Sequence, residues 1–175
     1  MGEAHEFLAH YLGAIAYRAQ KALRGAPADF GGFRMTSGVR TPAELVRHMT
    51  SVLGYARTFF VGGTYRPEPL PTLGAEISRF HEMLESLSEQ IEHGAFERIT
   101  PLQLLQGPLS DVMSHVGQLA LLRRLAGSPV PPENFIFAAV SADNLGAKQP
   151  DPVAPDEEWT TPEDDPRGEP VADRA

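Results

Sequence analysis

Residues 41–63 read TPAELVRHMTSVLGYARTFFVGG. The stretch opens with Thr41, then Pro42, and places Glu44 three residues after the threonine. A hydroxyl at the N-cap, a proline at the first helical position and a carboxylate at the third form a capping box. Leu45, Met49, Val52, Ala56, Phe59 and Phe60 then recur at helical spacing. Gly62 and Gly63 close the segment, because glycine supplies left-handed backbone at no steric cost. One complete amphipathic helix is therefore legible, start to stop.

The same period recurs on both sides of it. Leu8, Tyr11, Leu12, Ile15, Ala19, Ala22 and Leu23 form a first stripe, ended by Gly25 and Pro27. Leu73, Ile77, Phe80, Leu84, Leu87 and Ile91 alternate steps of four and three, the seam of a helix packed along its neighbours. Thr100-Pro101-Leu102-Gln103 is a second capping box, soon interrupted by Gly107-Pro108. That interruption predicts a short turn and a fresh helix running to Ala126, with Gly127 as its stop. No alternating run is long enough for a sheet. The pattern predicts an all-α four-helix bundle over residues 1–145, followed by an acidic, proline-rich tail over 146–175. The loop after the first helix is the longest internal connection, so it could be a crossover. Residues 133–140 suit a short fifth helix or an extended strap.

Composition narrows the function. The 175 residues carry 42% hydrophobic side chains and a net charge of −8, with a mean hydropathy of −0.23. Residues 151–175 hold nine acids against Arg167 and Arg174, a charge of −7, which leaves −1 for residues 1–150. A nearly neutral body argues against nucleic-acid binding. The tail reads as a solvated extension, with Trp159 as its one candidate anchor. No run approaches the roughly 20 apolar residues of a membrane span. MGEAHEFLAHYLG lacks a basic leader region and reads as the first helix, which points to the cytoplasm. Cysteine is absent. Any metal must therefore be held by His, Asp or Glu, and any thiol must come from outside.

Two places carry candidate chemistry. His48 lies three residues after Leu45 and four before Val52, on the predicted apolar stripe and pointing into the bundle. A buried imidazole there is either a core histidine satisfied by hydrogen bonds or a ligand. Asp111, His115 and Gln118 form one line on the last helix, at steps of four and three. Asp111 is either a solvated acid near a helix N-terminus or a ligand. Together the two helices offer two imidazoles and one carboxylate, a set suited to Zn, Ni or non-haem Fe(II) with coordination positions left open. Gln118 is either a packing amide or an orienter of a ligand. Arg123 and Arg124 read as cations favouring the helix C-terminus. His5, His10, His81 and His93 lie off the stripes and read as surface residues. FGGFRMTSG is glycine-rich but follows no strand, so it makes a weak phosphate loop.

The residues 111–127, DVMSHVGQLALLRRLAG, together with His48 inside the second helix, resemble the DinB-like (DinB/YfiT) superfamily of metal-binding four-helix bundles. That family's last helix typically shows a ligand, three residues, then His, any residue and Gly-Gln. Asp111-x-x-x-His115-Val116-Gly117-Gln118 fits, with aspartate where many members have histidine. The resemblance covers about residues 3–145, including TPAELVRHM and SPVPPENF. It implies a divalent metal held by His48, Asp111 and His115. It further implies an enzyme that uses a low-molecular-weight bacterial thiol as a transferase or isomerase, acting on a small-molecule substrate. A homodimer is compatible with such a bundle. The alternative is a non-catalytic binding or interaction module in which the His and Asp side chains form a buried hydrogen-bond network.

Overall fold

The computed structural model describes residues 2–152. Among them the architecture is all-helical, with no strand. The elements are α1 (Glu3–Leu23), α2 (Pro42–Val61), α3 (Leu73–His93), α4 (Pro101–Leu104) and α5 (Ser110–Leu125). Each predicted cap is present. The Glu44 amide donates to Thr41 Oγ1 at 3.3 Å, and the Thr41 amide donates to Glu44 Oε2 at 2.8 Å. The Gln103 amide donates to Thr100 Oγ1 at 3.1 Å, and the Thr100 amide returns a bond to Gln103 Oε1. Gly62 takes φ +78°, as a glycine helix stop should.

α1 packs against α3 and α5, and α2 packs against the same two. α1 and α2 thus lie diagonally across the bundle. The loop between them crosses that diagonal, so the topology is not simple up-down-up-down. The core is one cluster, centred on Leu12, Ile15, Met49, Leu53, Phe80, Leu84, Leu87, Leu109 and Leu119. No helix is long and apolar enough to cross a membrane.

Pro108 does not break the last helix. α4 runs into a π-turn over Leu105–Leu109 and then directly into α5. Proline lacks an N–H and its ring collides with the carbonyl four residues back. Widening the turn removes both problems. Ser110 Oγ donates to the Leu105 carbonyl at 2.6 Å.

Residues 133–151 form a strap, with a single 3-10 turn at Phe135–Phe137. Three anchors hold it. Glu133 is buried, accepting from Tyr17 Oη at 2.5 Å and from Lys21 Nζ at 2.8 Å. The Tyr17 hydroxyl is pushed up to about 12, by burial first and then by that carboxylate. Ser141 crosses α1 at Gly13, where a Cβ would come within 2.4 Å of the Ser141 carbonyl oxygen. His81 Nδ1 lies 2.6 Å from the Leu145 carbonyl oxygen. His81 is thus buried, not a surface residue. Its place beside Phe80 on the seam looks exposed until the strap covers it.

Arg123 is likewise more than a favourable terminal charge. It is buried and donates to the carbonyls of Ala22, Arg24 and Ser128 at 2.9 to 3.1 Å, tying the end of α5 to the end of α1. The chain remains packed past Leu145, with Gln149 Nε2 donating to the Asn144 carbonyl. Trp159 and the remainder of the acidic tail, residues 153–175, lie outside the described residues.

Candidate metal centre

α2 and α5 are neighbours, and their facing edges bring His48, Asp111 and His115 together. One ligand atom from each lies within 4.8 Å of the other two. The His48 and His115 rings meet edge to face, with centroids 4.8 Å apart. His115 Nε2 is 3.5 Å from Asp111 Oδ1. Among the described residues no other trio of histidines and acids gathers this way. His5 stands edge-on to Phe96, while His10 and His93 are exposed.

His48 does not point into the core. The buried face of α2 is Leu45, Val46, Met49, Thr50, Leu53 and Ala56, so His48 and Val52 sit half-buried at its margin. The helical period holds, but the buried face is rotated from the predicted stripe, because Thr50 and Gly54 also face inward. Gly54 receives the Tyr65 ring, which a Cβ would strike at 2.1 Å. The consequence is a cluster at the edge of the bundle. His115 is buried, whereas the Asp111 side chain is 50% exposed.

The electrostatics favour a ligand. His48 is held below the usual imidazole range, by burial first, then by Arg40 and His115, with Asp111 acting oppositely. Its neutral, metal-binding form is therefore favoured. Gln118 is exposed, and its Oε1 lies 3.1 Å from His115 Nδ1. An amide oxygen only accepts, so with this amide orientation Nδ1 carries a hydrogen. The neutral imidazole then keeps a bare lone pair on Nε2. That atom is buried and has no hydrogen-bond partner. A bare nitrogen and a carboxylate oxygen 3.5 Å apart are both acceptors. Either a proton on Nε2 or a cation between them relieves the repulsion.

The donor set fits a cation. With ligand bonds of about 2.1 Å, a tetrahedral edge is roughly 3.4 Å, close to the His115–Asp111 separation. The widest gap exceeds that edge by about 1.4 Å, within reach of rotations of the incompletely buried His48 and Asp111. Gln118 is exposed and its side chain meets His115, a position suited to orienting that ring.

The surroundings contain groups that the sequence pattern did not single out. A cleft of about 490 Å³ opens beside His48, lined by Arg34, Arg40, Arg47 and Arg66 as well as Ser51. A second depression, of about 680 Å³, takes in Asp111, Ser51, Tyr55 and Ser114. FGGFRMTSG is not a phosphate loop of backbone amides. Phe30 is buried in the core and Phe30–Gly32 is a 3-10 turn, so the segment contributes the Arg34 side chain instead. The adjacency of Arg47 to His48 was the one local signal for this basic edge. Gly117 has open space where a Cβ would stand, so packing does not explain it.

No family model, curated protein or solved structure matches the chain. The His48–Asp111–His115 group could hold a metal ion on its geometry alone.

Proposed function

We propose that this chain is a divalent-metal-dependent enzyme of the DinB-like kind, a thiol-dependent transferase or isomerase acting on a small molecule. The observation that carries the reading is the convergence of three ligand atoms from α2 and α5 at a solvent-open edge. A closed set of four protein ligands marks a structural site, whereas three ligands beside open space suit a catalytic one. His48, Asp111 and His115 would hold Zn, Ni or Fe(II). A bound ion of this type supplies Lewis acidity, lowering the pKa of a thiol or water.

The chain's own residues prepare that chemistry. Burial and Arg40 keep His48 neutral. Gln118 holds His115 with Nε2 toward Asp111. The exposed Asp111 is free to adjust, and its charge offsets part of the ion's. The chain has no cysteine, so the thiol would be the co-substrate. The alternative, a non-catalytic module with a satisfied His/Asp network, sits poorly with the unpartnered Nε2 of His115.

The test is consumption of low-molecular-weight thiols in the presence of a soft electrophile. Metal-reconstituted protein should accelerate it, and chelator-treated protein, His48→Ala and His115→Ala should not. Equal rates from all four would overturn the reading.

A further inference from the structure

The cleft beside His48 gathers Arg34, Arg40, Arg47 and Arg66 around one acid, Glu44. Outside the tail the chain is nearly neutral, so this concentration does not follow from composition. The acid does not neutralise it. The Glu44 carboxylate accepts from its own helix cap and, through both oxygens, from Arg34 Nη2 at 3.1 Å. Its carboxyl is held low, mainly by the Thr41 amide. Arg47 stands 4.0 Å from Glu76, a carboxylate already engaged by Arg79. Arg40 and Arg66 are exposed and have no acidic partner among the described residues. Cations crowded without counter-charge repel one another, and an oxyanion relieves that repulsion.

We propose that this cleft binds the oxyanion group of a small-molecule substrate, a phosphate or a carboxylate, and presents the rest of that molecule to the His48–Asp111–His115 cluster. Calling the bound molecule a substrate rests on the proposed function, whereas the affinity of the cleft for oxyanions does not. The guanidinium fork matches both oxyanions with paired hydrogen bonds. The volume, about 490 Å³, falls in the range of small-molecule sites, roughly 300–1,000 Å³. His48 lines the cleft, and Ser51 lines both the cleft and the depression that holds Asp111. A molecule anchored by its charge on the arginines therefore reaches the cluster without crossing the bundle. Arg40 and Arg66 act as specificity-determining residues, holding the charge away from the reacting end.

The experiment uses the full chain, stripped of metal, with inorganic phosphate and citrate as separate probes in calorimetric titrations. Wild type and Arg98→Gln, a control at an exposed arginine elsewhere, should bind at least one probe. Arg40→Gln and Arg66→Gln should each weaken binding roughly tenfold, and the double variant more. Preference for phosphate assigns a phosphorylated substrate; preference for citrate assigns a polycarboxylate. Equal binding by wild type and double variant would overturn the inference. So would failure of both probes, or binding of a short oligonucleotide with no response to either. Anion binding that survives in a chain unable to retain metal defeats the proposed function alone. Metal retention without anion binding defeats this inference alone.

Discussion

Gln118→Ala separates an orienting role from a packing role. The amide oxygen lies 3.1 Å from His115 Nδ1 and fixes which ring nitrogen is bare. One net hydrogen bond is worth about 1 kcal/mol, which converts to roughly fivefold in a binding constant. Loss of tautomer control adds to this, and removal of such partners typically costs 10–100-fold in metal affinity. The expected loss is therefore about tenfold. Gln118 is exposed, so unfolding stability should change by less than about 0.5 kcal/mol. The assay is competition for Zn(II) against a chromophoric chelator near neutral pH, paired with urea unfolding. Gln118→Glu keeps the acceptor and should retain most of the affinity. Unchanged affinity in Gln118→Ala would refute the reasoning. So would a loss matched by an equal loss of stability, since that would mean the residue supports the helix and not the ligand.

Two further outcomes follow from single contacts. Burial holds His81 below the usual imidazole range, partly offset by its bond to the Leu145 carbonyl, and its Nε2 is buried without a partner. The folded state thus binds that proton less readily than the unfolded chain. Stability is full above the unfolded value of about 6.5 and falls as pH drops toward the folded one, by at most about 1.4 kcal/mol per pH unit per histidine. His48 shifts in the same direction and adds to the slope. Urea titrations should show the decline, and His81→Gln should flatten it in a His48→Gln background; a profile already flat in wild type would contradict this. Gly117→Ala should raise stability by about 0.5–1 kcal/mol, because the position is helical and its Cβ would meet nothing. A lower melting temperature would mean that the glycine serves a purpose the packing does not show.

The helices were legible because their caps are local. Thr41 with Glu44, Thr100 with Gln103 and Gly62 after α2 are settled by neighbours a few residues away. The line Asp111–His115–Gln118 was legible for the same reason, since steps of four and three share a face on any helix. What needed the structure was the phase of each helix and everything that crosses between elements. Val52 and His48 seemed central on α2, but Thr50 and Gly54 turn the buried face away from them. Pro108 looked like a stop, yet one widened turn carries the helix through. His81 and Arg123 are buried by the strap and by the end of α1, which sequence periodicity does not encode. The arginines of the cleft come from the loop before α2, from α2 and from the connection between α2 and α3, and only folding brings them beside His48.

His48, Asp111 and His115 are proposed to hold one divalent ion. Equilibrium dialysis of the purified chain against Zn(II), Ni(II) and Fe(II), followed by elemental analysis, tests it most directly. Near-stoichiometric retention of at least one ion is expected, lost in His48→Ala and in His115→Ala and reduced in Asp111→Asn. Retention should also weaken as pH falls through the histidine range, because protons compete for the ligand nitrogens. No retention of any of the three ions, or retention that survives both histidine substitutions, would contradict it.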